Sequence, residues 1–107
     1  MNRIEQALFK LQESGRKAFI TYMTAGLPDY EKTKALVAAQ ERAGCDILEL
    51  GVPFSDPTAD GPVIQAASYD AIMGGATLEK TFECMRELRN DGIRIPIVFM
   101  MYYNTIL

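Results

Sequence analysis

Three carboxylates gather in the stretch Leu48–Pro62, which reads LELGVPFSDPTADGP. Glu49 stands in a short apolar run, and Asp56 and Asp60 follow it in a segment rich in Gly, Pro and Ser. Positioned carboxylates transfer protons in general acid–base catalysis, and they are also suitable ligands for Mg²⁺. The spacing therefore predicts a site at the end of one strand, with acid–base chemistry as the first hypothesis and a Mg²⁺ site as an alternative.

Glu49 is the least expected of the three. Its run, Asp46–Leu50, is bounded by Gly44 and Gly51 and has the length of a buried strand. Strands of parallel sheets are covered on both faces, and an ionised carboxylate there costs several kcal/mol unless it is compensated. Either Glu49 serves a function, or it reaches water or pairs with a Lys or Arg.

Asp56 and Asp60 each have an ordinary structural explanation. Asp-Pro is common in turns, and Asp60 could cap a helix that begins near Pro62. Because both follow a strand that already carries Glu49, their joint placement favours a function.

Composition limits the class of protein. The chain has 107 residues, 49% of them hydrophobic, and a net charge of -3, which predicts one mildly acidic domain and gives no sign of nucleic-acid or anionic-membrane binding. It has no histidine, so acid–base chemistry depends on carboxylates, Lys, Tyr or Cys. No signal peptide or membrane span is expected, and Cys45 and Cys84 are predicted to be reduced core thiols of a cytoplasmic protein.

Periodicity and capping residues predict helices and strands in alternation. The predicted order is helix 3–13, strand 17–24, helix 30–43, strand 46–50, helix 62–73, helix 78–90 and strand 95–101. In the last helix, Leu78, Phe82, Met85 and Leu88 are expected on the inner side. This alternation predicts an α/β fold with parallel strands, whose ligand sites lie at the carboxyl ends of the strands. Those ends carry Tyr22, Thr24, Glu49 and the segment 100–104, although Tyr22, Met100 and Tyr102 could equally be core residues.

The stretch LELGVPFSDPTADGP closely resembles the signature of the tryptophan synthase α subunit family. The similarity extends to Tyr22–Asp29, to Ile64–Ser68 and to Met101-Tyr102 with Asn104. It implies a (β/α)₈ TIM barrel with an added N-terminal helix, of which residues 1–107 would form the N-terminal part with about three βα units. The implied reaction is cleavage of indole-3-glycerol phosphate to indole and glyceraldehyde 3-phosphate.

The same resemblance implies roles for individual residues. Glu49 would be the acid–base group and Asp60 its partner at the indole. The indole pocket would be lined by Tyr22, Met100 and Tyr102. The surface facing a β subunit would include Pro53, Phe54, Asp56, Pro57 and Asn104. The resemblance further implies an α₂β₂ tetramer in which pyridoxal phosphate belongs to the β subunit, and no cofactor or metal in this chain.

Three positions depart from the family pattern. Tyr22 stands where Phe is frequent, Thr58 where an aliphatic residue is usual, and Asp70 where a basic residue is expected. Phosphate-binding loops of such barrels follow later strands, which these residues do not include. The 107 residues are therefore expected to be either the N-terminal part of an enzyme or, taken alone, an inactive fragment that self-associates.

Overall fold

The computed structural model describes residues 2–53 and 61–101, and within them helices and strands follow the predicted order. The elements are α1 (Arg3–Ser14), β1 (Ile20–Thr24), α2 (Tyr30–Arg42), β2 (Ile47–Gly51), α3 (Pro62–Met73), α4 (Leu78–Asn90) and β3 (Ile97–Met100). The sheet has the order β1-β2-β3, and both strand pairs are parallel, as the alternation predicted.

Three of the helices begin with an N-cap residue whose side chain accepts a hydrogen bond from a backbone N–H group. Asn2, Asp29 and Thr77 accept from the backbone three residues ahead, at 2.8, 2.8 and 3.1 Å. Each satisfies a donor that the first helical turn leaves without a partner inside the helix. These local signals explain why the predicted helix starts agree closely with the observed ones.

Two strands are shorter than predicted, because side chains replace strand partners at their amino ends. The backbone N–H of Phe19 donates to the Asp46 carboxylate at 2.7 Å, so β1 begins at Ile20 instead of residue 17. The N–H of Ile95 donates to Glu41 at 2.8 Å, and Pro96 has no N–H, so β3 begins at Ile97.

The hydrophobic core lies between the sheet and the helices α2 and α4. Leu48 and Leu50 of the central strand are fully buried, and they pack in one cluster with Val37 of α2 and with Cys84, Met85 and Leu88 of α4. The expectation for Phe82 was wrong, since its side chain is 42% exposed. Its ring instead meets Phe99 edge-on, with the ring centroids 5.3 Å apart.

Among the described residues, the opposite face of the sheet is open over its two edge strands, whereas Ile47 of the central strand is buried there. Because side chains alternate along a strand and register partners share a face, Ile20, Tyr22 and Met100 lie on the side away from Leu48. These three side chains are 47%, 39% and 47% exposed. Within the described ranges, no helix is long and apolar enough to cross a membrane.

We predict that a polypeptide of residues 1–107 produced by itself self-associates. Apolar side chains on the open face would meet water, and so would the outer edges of β1 and β3, which pair with no strand among the described residues; such edges pair with other chains. Light scattering over a concentration series measures this. Replacing Ile20 and Met100 by Lys should reduce the association, whereas Leu36→Lys on the surface of α2 should not. A monomer at high concentration would contradict the prediction.

Candidate active site at the carboxyl end of the sheet

Glu49 occupies the middle of the central strand. Leu48 and Leu50 on either side of it are buried against the helices, so the Glu49 side chain belongs to the open face, where it is partly buried. Its register partners are Tyr22 of β1 and Val98 of β3. In the part of the chain that the structure describes, no Lys or Arg forms an ion pair with Glu49. The alternative in which Glu49 pairs with a basic residue therefore has no support among these residues.

Tyr22 extends toward the carboxyl end of β2 and lies over Gly51. A Cβ atom built on Gly51 would stand 2.0 Å from the Tyr22 hydroxyl oxygen and 2.7 Å from Cζ of the ring. No side chain at position 51 can coexist with this orientation of Tyr22. Tyr22 was predicted as a site residue from the sequence, whereas Gly51 was not, because its only signal there is its place two residues after Glu49.

Met100 completes the row of predicted site residues that the structure describes. It pairs in register with Gly51, so Tyr22, Glu49 and Met100 share one face near the carboxyl ends of three adjacent strands. In the sequence, Tyr22 lies 27 positions before Glu49, and Met100 lies 51 positions after it. The parallel pairing of the strands brings the three residues together. The arrangement forms a half-open apolar surface with one carboxylate in it.

The two thiols do not add a nucleophile to this surface. Both cysteines are free and buried. Burial raises the pKa of the Cys84 thiol to about 11, so the thiolate that nucleophilic chemistry requires is scarce. Cys45 contacts the Thr21 hydroxyl at 3.2 Å and belongs to the core. Among the described residues, no group of three or more His, Cys, Asp or Glu side chains is placed to hold a metal ion.

Comparison with known proteins identifies the family. Residues 8–107 match the family model described as "Tryptophan synthase alpha chain". The chain belongs to this family. The resemblance drawn from LELGVPFSDPTADGP is thereby confirmed, and so is the fold class, because the similar solved structures are tryptophan synthase alpha barrels.

Individual relatives are similar over nearly the whole chain. The tryptophan synthase alpha chain of Lachnospira eligens is 62% identical over 106 residues, and that of Alkaliphilus metalliredigens is 53% identical. The crystal structure of the tryptophan synthase subunit alpha from Legionella pneumophila has a TM-score of 0.94 at 40% identity. Each comparison covers 99% of this chain and 40% of the relative's length. The chain thus spans about two fifths of these tryptophan synthase alpha chains.

Several residues to which the resemblance assigns roles lie outside the described ranges. They are Asp60, the predicted partner of Glu49, Tyr102 of the predicted indole pocket, and Phe54, Asp56, Pro57 and Asn104 of the predicted β-subunit surface. Thr58 lies there too. The Mg²⁺ alternative depends on Asp56 and Asp60. Pro53 is described and partly buried, two residues after β2. All these assignments stay predictions.

We predict that Gly51→Ala lowers activity in the complete chain with little loss of stability. The added methyl group must displace the Tyr22 ring from its place beside Glu49, and a misplacement of about 1 Å can cost about 10²-fold in rate. Steady-state kinetics and thermal unfolding together measure both effects. Gly74→Ala is the matched control, because its nearest neighbours would be at ordinary contact distances of 3.4 Å or more. Adding Tyr22→Phe removes the nearest atom and should restore part of the rate. Equal rates for Gly51→Ala and Gly74→Ala would contradict the prediction.

Proposed function

We propose that the complete chain carrying these residues cleaves indole-3-glycerol phosphate to indole and glyceraldehyde 3-phosphate. The observation that carries the proposal is the position of Glu49, a partly buried carboxylate beside Tyr22 and Met100 on one face near the carboxyl ends of parallel strands. Membership of the tryptophan synthase alpha chain family supports the substrate. Because the chain spans 40% of the relatives' length, the reaction is assigned to the complete protein.

The chemistry requires two proton transfers. Cleavage breaks the bond between indole C3 and the adjacent glycerol carbon, so C3 must gain a proton and the hydroxyl on that carbon must lose one. A single carboxylate held next to both atoms can perform such transfers, and Glu49 is the described residue suited to this role. Positive charge develops on the indole nitrogen when C3 is protonated. We assign its stabilisation to the Asp60 carboxylate.

The apolar neighbours of Glu49 suit the indole ring. Tyr22 and Met100 present half-exposed aromatic and thioether surfaces on the same face. Aromatic rings and methionine sulfur both pack well against an aromatic ligand. We therefore assign them, with Tyr102, to the indole pocket.

A partner and a location belong to the same proposal. The family name describes an alpha chain, which implies a companion chain, and we propose a β subunit that docks near Pro53, Phe54, Asp56, Pro57 and Asn104 in an α₂β₂ tetramer. Pyridoxal phosphate would be bound by that subunit, while the alpha chain's own reaction uses no cofactor.

The two buried, unbridged cysteines favour the cytoplasm as the location of the protein.

Indole release by the purified complete chain tests the proposal. We expect indole from indole-3-glycerol phosphate, undiminished by EDTA and increased when a β subunit is added. Loss of activity with EDTA and its return with Mg²⁺ would favour the metal-site alternative. A folded complete chain that releases no indole, with or without the β subunit, would overturn the proposed function.

A further inference from the structure

A second pocket lies at the amino ends of the strands, away from Glu49. We call it the basic pocket. It has a volume of about 350 Å³ and is formed by α1, by the residue Arg16 that follows it, and by the segments that precede β2 and β3. Four cationic side chains and one carboxylate line it: Arg3, Lys10, Arg16, Arg94 and Asp46. Four of the chain's eleven Lys and Arg residues thus surround one pocket, although the chain carries a net charge of -3.

The nearby carboxylates are already engaged with the backbone. Asp46 accepts a hydrogen bond from the N–H of Phe19 at 2.7 Å, and its second oxygen lies 3.8 Å from the Arg16 guanidinium, which is too long for a strong contact. Glu41 accepts from the N–H groups of Arg94 and Ile95 at 2.6 and 2.8 Å. Both carboxylates keep their negative charge, but these two acids stand against four cationic side chains, so the basic pocket has a net positive charge.

Two cations of the basic pocket also act on a nearby arginine, Arg89. Arg89, at the end of α4, has its pKa lowered by burial and, after that, by the positive charges of Arg3 and Arg94, while Glu41 raises it. Its guanidinium donates to the carbonyl of Ile93 at 3.0 Å. The positive charges of Arg3 and Arg94 therefore act unfavourably on the Arg89 guanidinium, and a bound anion near Arg3 and Arg94 would offset that effect.

We propose that the basic pocket binds a phosphate group, either free or as the monoester of a small metabolite. Planar guanidinium groups donate pairs of hydrogen bonds that match phosphate oxygens, and Arg3, Arg16 and Arg94 reach the pocket from three separate segments. Its volume falls in the range of small-ligand pockets. This pocket is distinct from the site around Glu49. Asp46, which lines the pocket, precedes Glu49 by three residues, which is about 10 Å along the strand at about 3.3 Å per residue.

A bound phosphate would connect α1 to the segments at the amino ends of the strands. Within α1, all of which is described, Leu11 is the buried residue, and the other residues of the helix are partly or fully exposed. Arg3 and Lys10 stand on α1, whereas Arg94 stands on the segment leading into β3. Joining them through one anion adds a contact that the apolar packing of α1 does not provide. We therefore expect α1 to detach from the sheet more slowly when phosphate is bound.

Amide NMR of the complete chain, titrated at constant ionic strength, tests the proposal. The probes are inorganic phosphate and glycerol phosphate, with chloride as the reference anion. We expect saturable shifts at the amides of Phe19, Asp46 and Arg94, separate from any shifts near Glu49. Tighter binding of glycerol phosphate would identify a monoester as the ligand, and equal or tighter binding of inorganic phosphate would identify the free anion.

Charge-matched variants distinguish a site from general screening. Arg3→Gln combined with Arg94→Gln should weaken phosphate binding by about tenfold or more per guanidinium lost. Lys32→Gln combined with Arg86→Gln removes the same charge from exposed positions that do not line the basic pocket, and it should leave the affinity unchanged. Absent shifts at Phe19, Asp46 and Arg94, or equal weakening in both double variants, would overturn the proposal. Neither result would affect the indole-release test of the proposed function.

Discussion

Glu49→Gln in the complete chain is expected to reduce indole release by about 10²–10⁴-fold while the fold is retained. Glutamine keeps the size of the side chain but can neither deliver a proton to indole C3 nor accept one from the glycerol hydroxyl. Because Glu49 forms no ion pair among the described residues, no lysine or arginine there loses a partner. Thermal unfolding should therefore change little.

The comparison that isolates the effect is Glu13→Gln, which removes a carboxylate from an exposed position on α1. Its turnover should equal that of the unmodified chain. The indole-release assay measures both variants, and circular dichroism verifies that both are folded. Near-normal turnover by a folded Glu49→Gln chain would remove Glu49 from the mechanism.

Leu48→Ala is expected to have the largest effect on stability, lowering the free energy of unfolding by about 2–5 kcal/mol. Leu48 is 0% exposed and belongs to the core cluster between β2 and the helices. Truncation removes apolar contacts and leaves a cavity that neighbours such as Val37 and Leu88 can fill only in part. Typical domains have only about 5–15 kcal/mol of stability, so this loss is a large share of it.

Guanidinium denaturation of the complete chain measures that loss. Leu36→Ala makes the same chemical change at a position on α2 that is 47% exposed, and it should cost far less. Similar losses for the two variants would show that Leu48 is not part of a tightly packed core.

The sequence alone predicted the order of the elements and most helix ends. Asn2, Asp29 and Thr77 bond to N–H groups three residues away, so the information that starts each helix is contained in a few consecutive residues. The parallel arrangement followed from the alternation of strands and helices, because each connection is long enough to return the chain to the same end of the sheet. The importance of Glu49 also came from local evidence, a charge in an apolar strand.

Only the tertiary structure decided the features that join distant parts of the chain. The strand starts at Ile20 and Ile97 depend on Asp46 and Glu41, whose carboxylates bond to backbone 27 and 54 positions away. The placement of Tyr22 over Gly51 depends on strand register, and the basic pocket depends on the position of α1 beneath three segments. These contacts depend on which surfaces pack together after folding. Capping residues and hydrophobic periodicity report only local structure, so they do not predict which distant residues meet. The sequence thus determined the local elements and the candidate carboxylate, whereas long-range packing determined which side chains surround it.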